Sequence, residues 1–191
     1  MSSISLPPRL MPPRGYLAVI RTIDKFTEWT GYLFVLFIIP LILSNVIEVF
    51  ARYVLKDPTI WALDITTMSY AALFMLGSAL ALLKGAHVRT DIFWDGFSER
   101  KKGLIDLWSY LILFYPTMVI FFIISADDAW YAYVLSERSE QTPWRPLLWP
   151  FRAAVPMMAL LMMIQGISEV LKCWYQIKTG SEFQHREKIE V

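Results

Sequence analysis

Four long apolar runs without a single charge constrain the fold of this chain more than any other feature. They occupy residues 29–47, 65–83, 107–126 and 153–168, and the last reaches residue 171 if Glu169 lies at the interface. About 20 apolar residues in a helix cross a bilayer core, and the helix satisfies the backbone polar groups there. With 56% hydrophobic residues, the sequence predicts an all-α integral membrane protein with four transmembrane helices plus short amphipathic interfacial helices.

The flanking charges predict how these helices are oriented. Thirteen of the 18 Lys and Arg residues lie in the N-terminal arm, the second loop and the tail, and five lie in the first and third loops. Cytoplasmic segments carry the excess of Lys and Arg. We therefore expect a multi-pass protein of a bacterial inner membrane with both termini in the cytoplasm.

The predicted organisation has three parts. They are a cytoplasmic N-terminal arm with an interfacial helix (1–27), a four-helix transmembrane domain (28–171) and a cytoplasmic tail (172–191). The predicted spans are about 29–52, 62–84, 106–134 and 151–171. Leu17, Ile20, Ile23 and Phe26 share one helical face of the arm, which is typical of a helix lying at the interface. Residues 91–106 predict either a cytoplasmic surface helix or a polar connector.

Small residues recur at every fourth position of the second span. Gly77, Ala81 and Gly85 form this stripe. Small residues let two helices approach closely in lipid, where apolar packing alone gives little net drive. The stripe indicates a helix-docking face, within the chain or against another subunit, and chance in an Ala-rich span is the alternative. Pro40 and Pro116 lie in mid-span, and each predicts a bend because it removes a helical hydrogen bond.

Polar residues cluster where the first two spans meet on the outer side. Asn45, Glu48 and Arg52 share a helical face, and Glu48 and Arg52 have the favourable i, i+4 order for an ion pair. Asp64 opens the second span after Trp61 and is expected to reach Arg52. Charges at a membrane boundary are functional candidates by default. We favour the interpretation that they fix the first hairpin.

A second polar corner follows the second span. Lys84, His87, Arg89 and Asp91 lie there. His87 and Asp91 have i, i+4 spacing, but two groups are too few for a metal site. A catalytic His–Asp pair would need a nucleophile, and only Thr90 is near. The corner is therefore interpreted as a structural turn.

The third loop, 127–152, is the longest outer segment. Its first half is predicted to continue the third span above the membrane, and three prolines then impose an extended return. The Trp and Arg residues of this loop suit docking to another protein. A belt of aromatic residues in the lipid headgroups is the alternative.

Several classes of function lack the residues that they need. The two histidines lie outside the spans, so a haem held by paired ligands is not expected, and the single cysteine excludes a disulfide chemistry within the chain. No acidic residue is expected deeper than the end of its span, which disfavours independent ion or substrate transport. With a net charge of +1, nucleic acid is not an expected partner. We expect no catalytic residues, cofactor or metal, and an accessory or scaffold role.

The polar corners and the small-residue stripe together resemble a known family. Glu48, Arg52 and Tyr53 are followed by Pro58 and then by Trp61-Ala-Leu-Asp64, and the second span closes as Gly77-Ser-Ala-Leu-Ala81-Leu-Leu-Lys-Gly85-Ala-His87-Val-Arg89-Thr-Asp91. This pattern is similar to the small membrane subunit (the Q, or small permease, component) of tripartite ATP-independent periplasmic transporters. A departure is Leu63-Asp64, where many members have two glutamates.

The resemblance implies a scaffold subunit. It would brace a large multi-span permease subunit that binds sodium and substrate, while a periplasmic substrate-binding protein delivers an organic acid. The small subunit would contact membrane lipids and would not bind substrate itself. Two alternatives stay open from the residues: a self-sufficient small transporter or channel, and the membrane-anchor subunit of an enzyme.

Overall fold

The computed structural model describes residues 14–85 and 98–180, and these residues form helices joined by short connections. The helices are α1 (Arg14–Val35), α2 (Ile38–Phe50) with a π-helical end (Ala51–Leu55), α3 (Ala62–Leu83), α4 (Glu99–Trp108) with a π-helical segment (Ser109–Phe114), α5 (Tyr115–Val134) and α6 (Trp149–Thr179). No strand occurs in the described ranges, apart from one isolated bridge between Arg138 and Leu147. The predicted all-α class is confirmed.

Within the described residues, four helical stretches are long and apolar enough to cross a membrane. They are Gly15–Leu55, Ala62–Leu83, Arg100–Val134 and Trp149–Thr179. Successive stretches run antiparallel: α3 packs against α1, α2 and α6, and α5 packs along α6. The shared core joins Ala72, Leu76 and Ala79 of α3 to Leu161 and Met162 of α6. The alanines in this core let the helix backbones approach closely.

Both mid-span prolines stand beside an irregular helical turn. The first stretch breaks at residues 36–37, where the amide of Ile39 bonds the carbonyl of Leu36 at 3.0 Å. Pro40 has no N–H to offer that carbonyl, which explains the tighter turn. In the third stretch, the π-helical segment ends just before Pro116, the second residue of α5. Both irregularities therefore follow from the missing donor of a proline.

The amphipathic segment 15–27 is the first part of α1, and no break separates it from the span that follows. Ile20, Asp24 and Thr27 are buried on one face of this helix. The Tyr16 hydroxyl donates a hydrogen bond to the carbonyl of Leu171 on α6. One face of the segment is thus covered by α6, and only the opposite face is exposed.

Candidate functional site

The first polar cluster lies at the end of the bundle where α2 meets α3, and Glu48 is its centre. The Arg52 guanidinium donates to Glu48 Oε1, with Nε at 2.9 Å. The backbone N–H of Thr59 donates to Glu48 Oε2 at 3.0 Å, and the Thr59 hydroxyl donates to the same oxygen. One carboxylate therefore connects the end of the first span to the residues that lead into the second, and half-buried Trp61 precedes α3 there.

Asp64 does not reach Arg52, and that expectation is wrong. Asp64 is 2% exposed, and its carboxylate accepts hydrogen bonds from Ser139 Oγ at 2.6 Å and from the hydroxyl of Thr142. Arg52 is already engaged by Glu48, one helical turn away. Asp64 also lies in the first turn of α3, where the helix dipole favours a negative charge. The residue fastens the third loop to α3.

The third loop is folded back on the bundle through further polar contacts. The amide of Ser139 donates to the carbonyl of Pro146 at 2.8 Å. Arg152, at the start of α6, donates to Asp128 and to Glu137, each at 2.7 Å. These contacts hold residues 135–148 against one end of the bundle.

A second polar cluster joins α1 to α6 near the other end of the bundle. Lys172 Nζ lies 2.9 Å from Asp24 Oδ2 and 2.8 Å from Glu169 Oε1. Ser168 Oγ donates to Asp24 Oδ1 at 2.6 Å, and Gln165 Nε2 donates to the same atom at 3.1 Å. All five side chains are buried. We refer to them as the Asp24–Lys172 cluster.

The Asp24–Lys172 cluster is a buried charged site that the sequence analysis did not single out. Two carboxylates and one ammonium are enclosed between helices, and such charges are tolerated only when they are paired and hydrogen-bonded. The sequence did carry a signal, because Gln165, Ser168, Glu169 and Lys172 follow the i, i+3, i+4, i+7 repeat of one helical face. Asp24, 148 residues from Lys172 in sequence, could not be assigned to it in advance.

The predicted inner corner is described only in part. His87, Arg89 and Asp91 lie outside the described residues. Lys84, the last described charge of this corner, lies 3.3 Å from Glu28 of α1. Both side chains are partly exposed, so this pair contributes little to stability.

Gly77 and Gly85 do not meet another described helix, because a Cβ at either position would have no heavy atom within 4 Å. Gly77 and partly buried Ala81 share a face with Tyr70 and Phe74, which are 54% and 68% exposed. The core face of α3 lies on the opposite side by the 3.6-residue repeat. Gly85 has φ +70° at the end of α3, a left-handed conformation that favours glycine.

The close helix approaches of the chain occur at other glycines. A Cβ at Gly31 of α1 would lie 2.7 Å from Leu80 Cβ of α3, and one at Gly166 of α6 would lie 2.8 Å from the Phe114 ring. Neither glycine belongs to a repeated small-residue pattern, so the sequence analysis missed both. The glycines that allow close helix contacts inside the bundle, Gly31 and Gly166, are therefore not those of the outward stripe, Gly77 and Gly85.

Comparison with known proteins identifies the family. Residues 41–176 match the family of tripartite ATP-independent periplasmic transporters, DctQ component. A curated relative, the sialic acid TRAP transporter permease protein SiaT of Haemophilus influenzae (strain 86-028NP), is 26% identical over 167 residues, which cover 86% of this chain and 25% of the relative. The chain thus spans about a quarter of that relative's length. No solved structure matches the chain significantly. The chain belongs to the DctQ component family of tripartite ATP-independent periplasmic transporters and is a small membrane subunit of that type.

Proposed function

We propose that this chain is the scaffold subunit of a sodium-driven, binding-protein-dependent transporter for organic acids. It braces a large permease subunit and binds no substrate itself. One observation carries the proposal: the relative named a permease protein is a single polypeptide of which this chain matches a quarter. We infer that the large permease which this chain braces corresponds to the part of that relative that the chain does not match.

The polar side chains of the bundle connect its helices and its third loop, which supports a bracing role. The Asp24–Lys172 cluster ties α1 to α6, Glu48 ties the first hairpin, and Asp64 ties the third loop to α3. The contacts of Asp24 and Asp64 join residues 148 and 75 positions apart in sequence, and those of Glu48 join α2 to the residues that precede α3. Buried polar contacts of this kind hold a bundle in one arrangement. A permease that changes conformation during transport needs a scaffold that stays rigid, and this bundle would provide one.

The outward face of α3 is our candidate for the permease contact. Gly77 and Ala81 offer a close approach to a foreign helix, and Tyr70 and Phe74, with ring centroids 5.4 Å apart, extend the face along α3. Interfaces are enriched in aromatic residues, and small residues favour helix packing in lipid. In this proposal the third loop lies on the periplasmic side, where the binding protein docks, and both termini are cytoplasmic in the inner membrane.

Reconstitution into liposomes tests the transport function. Vesicles would contain the chain, the permease subunit or both, with the binding protein outside and an inward sodium gradient. We expect uptake of a radiolabelled organic acid only when both membrane proteins are present, and loss of uptake when the gradient is removed. Transport by the chain alone would contradict the proposal and favour a self-sufficient transporter.

Substitutions on α3 test the interface. We expect Gly77→Leu combined with Ala81→Leu to abolish co-purification with the permease, because the added side chains separate the helix backbones. The matched control is Thr117→Leu, which adds apolar bulk at an exposed position of α5. If the double variant still assembles and supports uptake, the α3 face is not the contact.

A further inference from the structure

The exposed face of α1 carries a shallow cavity whose lining is partly basic and partly aromatic. Its volume is about 400 Å³, and it is lined by Arg21, Thr22, Lys25, Phe26 and Trp29. Arg21, Lys25 and Trp29 succeed each other at i, i+4 and i+8, so they follow one side of the helix. This side is opposite the one on which Ile20 and Asp24 are buried.

The two carboxylates of α1 each pair with a lysine of another helix. Asp24 pairs with Lys172 inside the bundle, and partly exposed Glu28 pairs with Lys84 of the α3 end. Arg21 and Lys25 are exposed and form no ion pair with the residues that the structure describes. The cavity therefore carries two exposed positive charges that form no ion pair within the described part of the chain.

The order of the lining residues matches the layers of a membrane surface. Arg21 and Lys25 come first, and Phe26 (44% exposed) and Trp29 (66% exposed) follow toward the apolar span. A guanidinium binds phosphate oxygens through paired hydrogen bonds, and Trp is enriched at the level of lipid headgroups. An aromatic wall next to paired cations suits a ligand that has both an anionic phosphate and an apolar tail.

We propose that this cavity is a binding site for an anionic phospholipid. Arg21 and Lys25 bind the phosphodiester of the headgroup, and Phe26 and Trp29 contact the first part of its acyl chains. The bound lipid anchors the exposed side of α1 in the leaflet, while α6 holds the opposite side. The inference goes beyond the transport function and does not depend on which subunit the chain accompanies.

Native mass spectrometry of the purified full chain, with any partner that co-purifies, tests the site. Phosphatidylglycerol and phosphatidylcholine are titrated separately. We expect the double substitution Arg21→Gln and Lys25→Gln to weaken phosphatidylglycerol binding by roughly tenfold to thirtyfold, the range for two basic residues at a membrane surface. Phosphatidylcholine binding should not change. A charge-retaining variant, Arg21→Lys with Lys25→Arg, should keep most of the affinity.

The control removes the same charge from the same end of the bundle. Arg100→Gln with Lys101→Gln alters two exposed basic residues of α4 and should leave phosphatidylglycerol binding intact. Equal weakening in both double variants would show diffuse attraction and no site. Unchanged phosphatidylglycerol binding in the α1 variant would also overturn the proposal, and if that variant instead lost a co-purifying protein, the face would belong to a protein partner. Circular dichroism checks that each variant remains folded.

Discussion

At the scale of single residues, Lys172 joins the first helix of the chain to the last. Its ammonium lies within 3 Å of carboxylates on two different helices, Asp24 on α1 and Glu169 on α6. The Lys172 side chain is 8% exposed, so if its ammonium were removed, little water could reach the two carboxylates to solvate them. The balance of charge in the Asp24–Lys172 cluster therefore depends on this residue.

Replacing Lys172 with Met is expected to destabilise the protein by about 3–5 kcal/mol, because the two buried carboxylates lose their shared cation. Chemical denaturation of the purified protein in detergent, followed by circular dichroism, measures the loss. The matched control is Lys178→Met, which removes an exposed lysine that rests over the Trp174 ring and should cost about 1 kcal/mol or less. Equal effects of the two substitutions would show that the Asp24–Lys172 cluster does not stabilise the fold.

Asp64 has a more local effect. In Asp64→Ala the hydroxyls of Ser139 and Thr142 lose a buried acceptor, which costs about 1–3 kcal/mol. We expect this cost to appear as faster hydrogen–deuterium exchange in residues 135–148, with little change in α6. Leu63→Ala, at an exposed neighbouring position, is the control and should leave the exchange as it is. Unaltered exchange in the Asp64 variant would mean that other contacts hold the loop.

At the scale of helices, α3 has two faces with different uses. One face carries the alanines of the core and meets Gly31 of α1 through Leu80. The opposite face carries Gly77 and has no described neighbour within the chain. The same substitution should therefore have different consequences in the isolated subunit at Gly31, which packs against α3, and at Gly77, on the outward face of α3.

We expect Gly31→Val to destabilise the isolated chain by about 1–3 kcal/mol, because its Cβ would overlap Leu80. Gly77→Val should be neutral or slightly stabilising, since valine has the better helix propensity and the space is open. Thermal unfolding of both variants without the permease makes the comparison. A larger loss of stability at Gly77 than at Gly31 would contradict the assignment of Gly31 to a packed contact and of Gly77 to an outward face.

The helices were predictable from sequence, whereas their contacts were not. Runs such as 65–83 are long, apolar and uncharged, and only a helix satisfies such a run in lipid. The partners of Asp64, in contrast, lie 75 and 78 residues away in sequence, and local spacing does not report contacts of that range. Spacing did identify the Gly77 stripe as a face, but could not say whether the face turns inward or outward.

At the scale of the whole molecule, polar ties lie toward both ends of an apolar bundle. Asp64 and Lys84 stand at the two ends of α3, about 30 Å apart by the helical rise, which is the thickness of a bilayer core. Between them α3 presents alanines inward and large apolar side chains outward. The outward surface is suited to lipid and to a second membrane protein.

The family and the general role follow from different observations. Residues 41–176 establish the DctQ component family, and the motif from Glu48 to Asp91 already resembled it in the sequence. The orientation in the membrane, the coupling to sodium and the face that contacts the permease stay predictions of this account. The central claim among them is that the chain works as one subunit of a larger membrane complex.

Native mass spectrometry of the tagged chain, extracted gently from its own membrane, tests that claim most directly. The account predicts a one-to-one complex with a much larger multi-span protein. A lone chain or a homo-oligomer, from an extraction that keeps other membrane complexes intact, would contradict it.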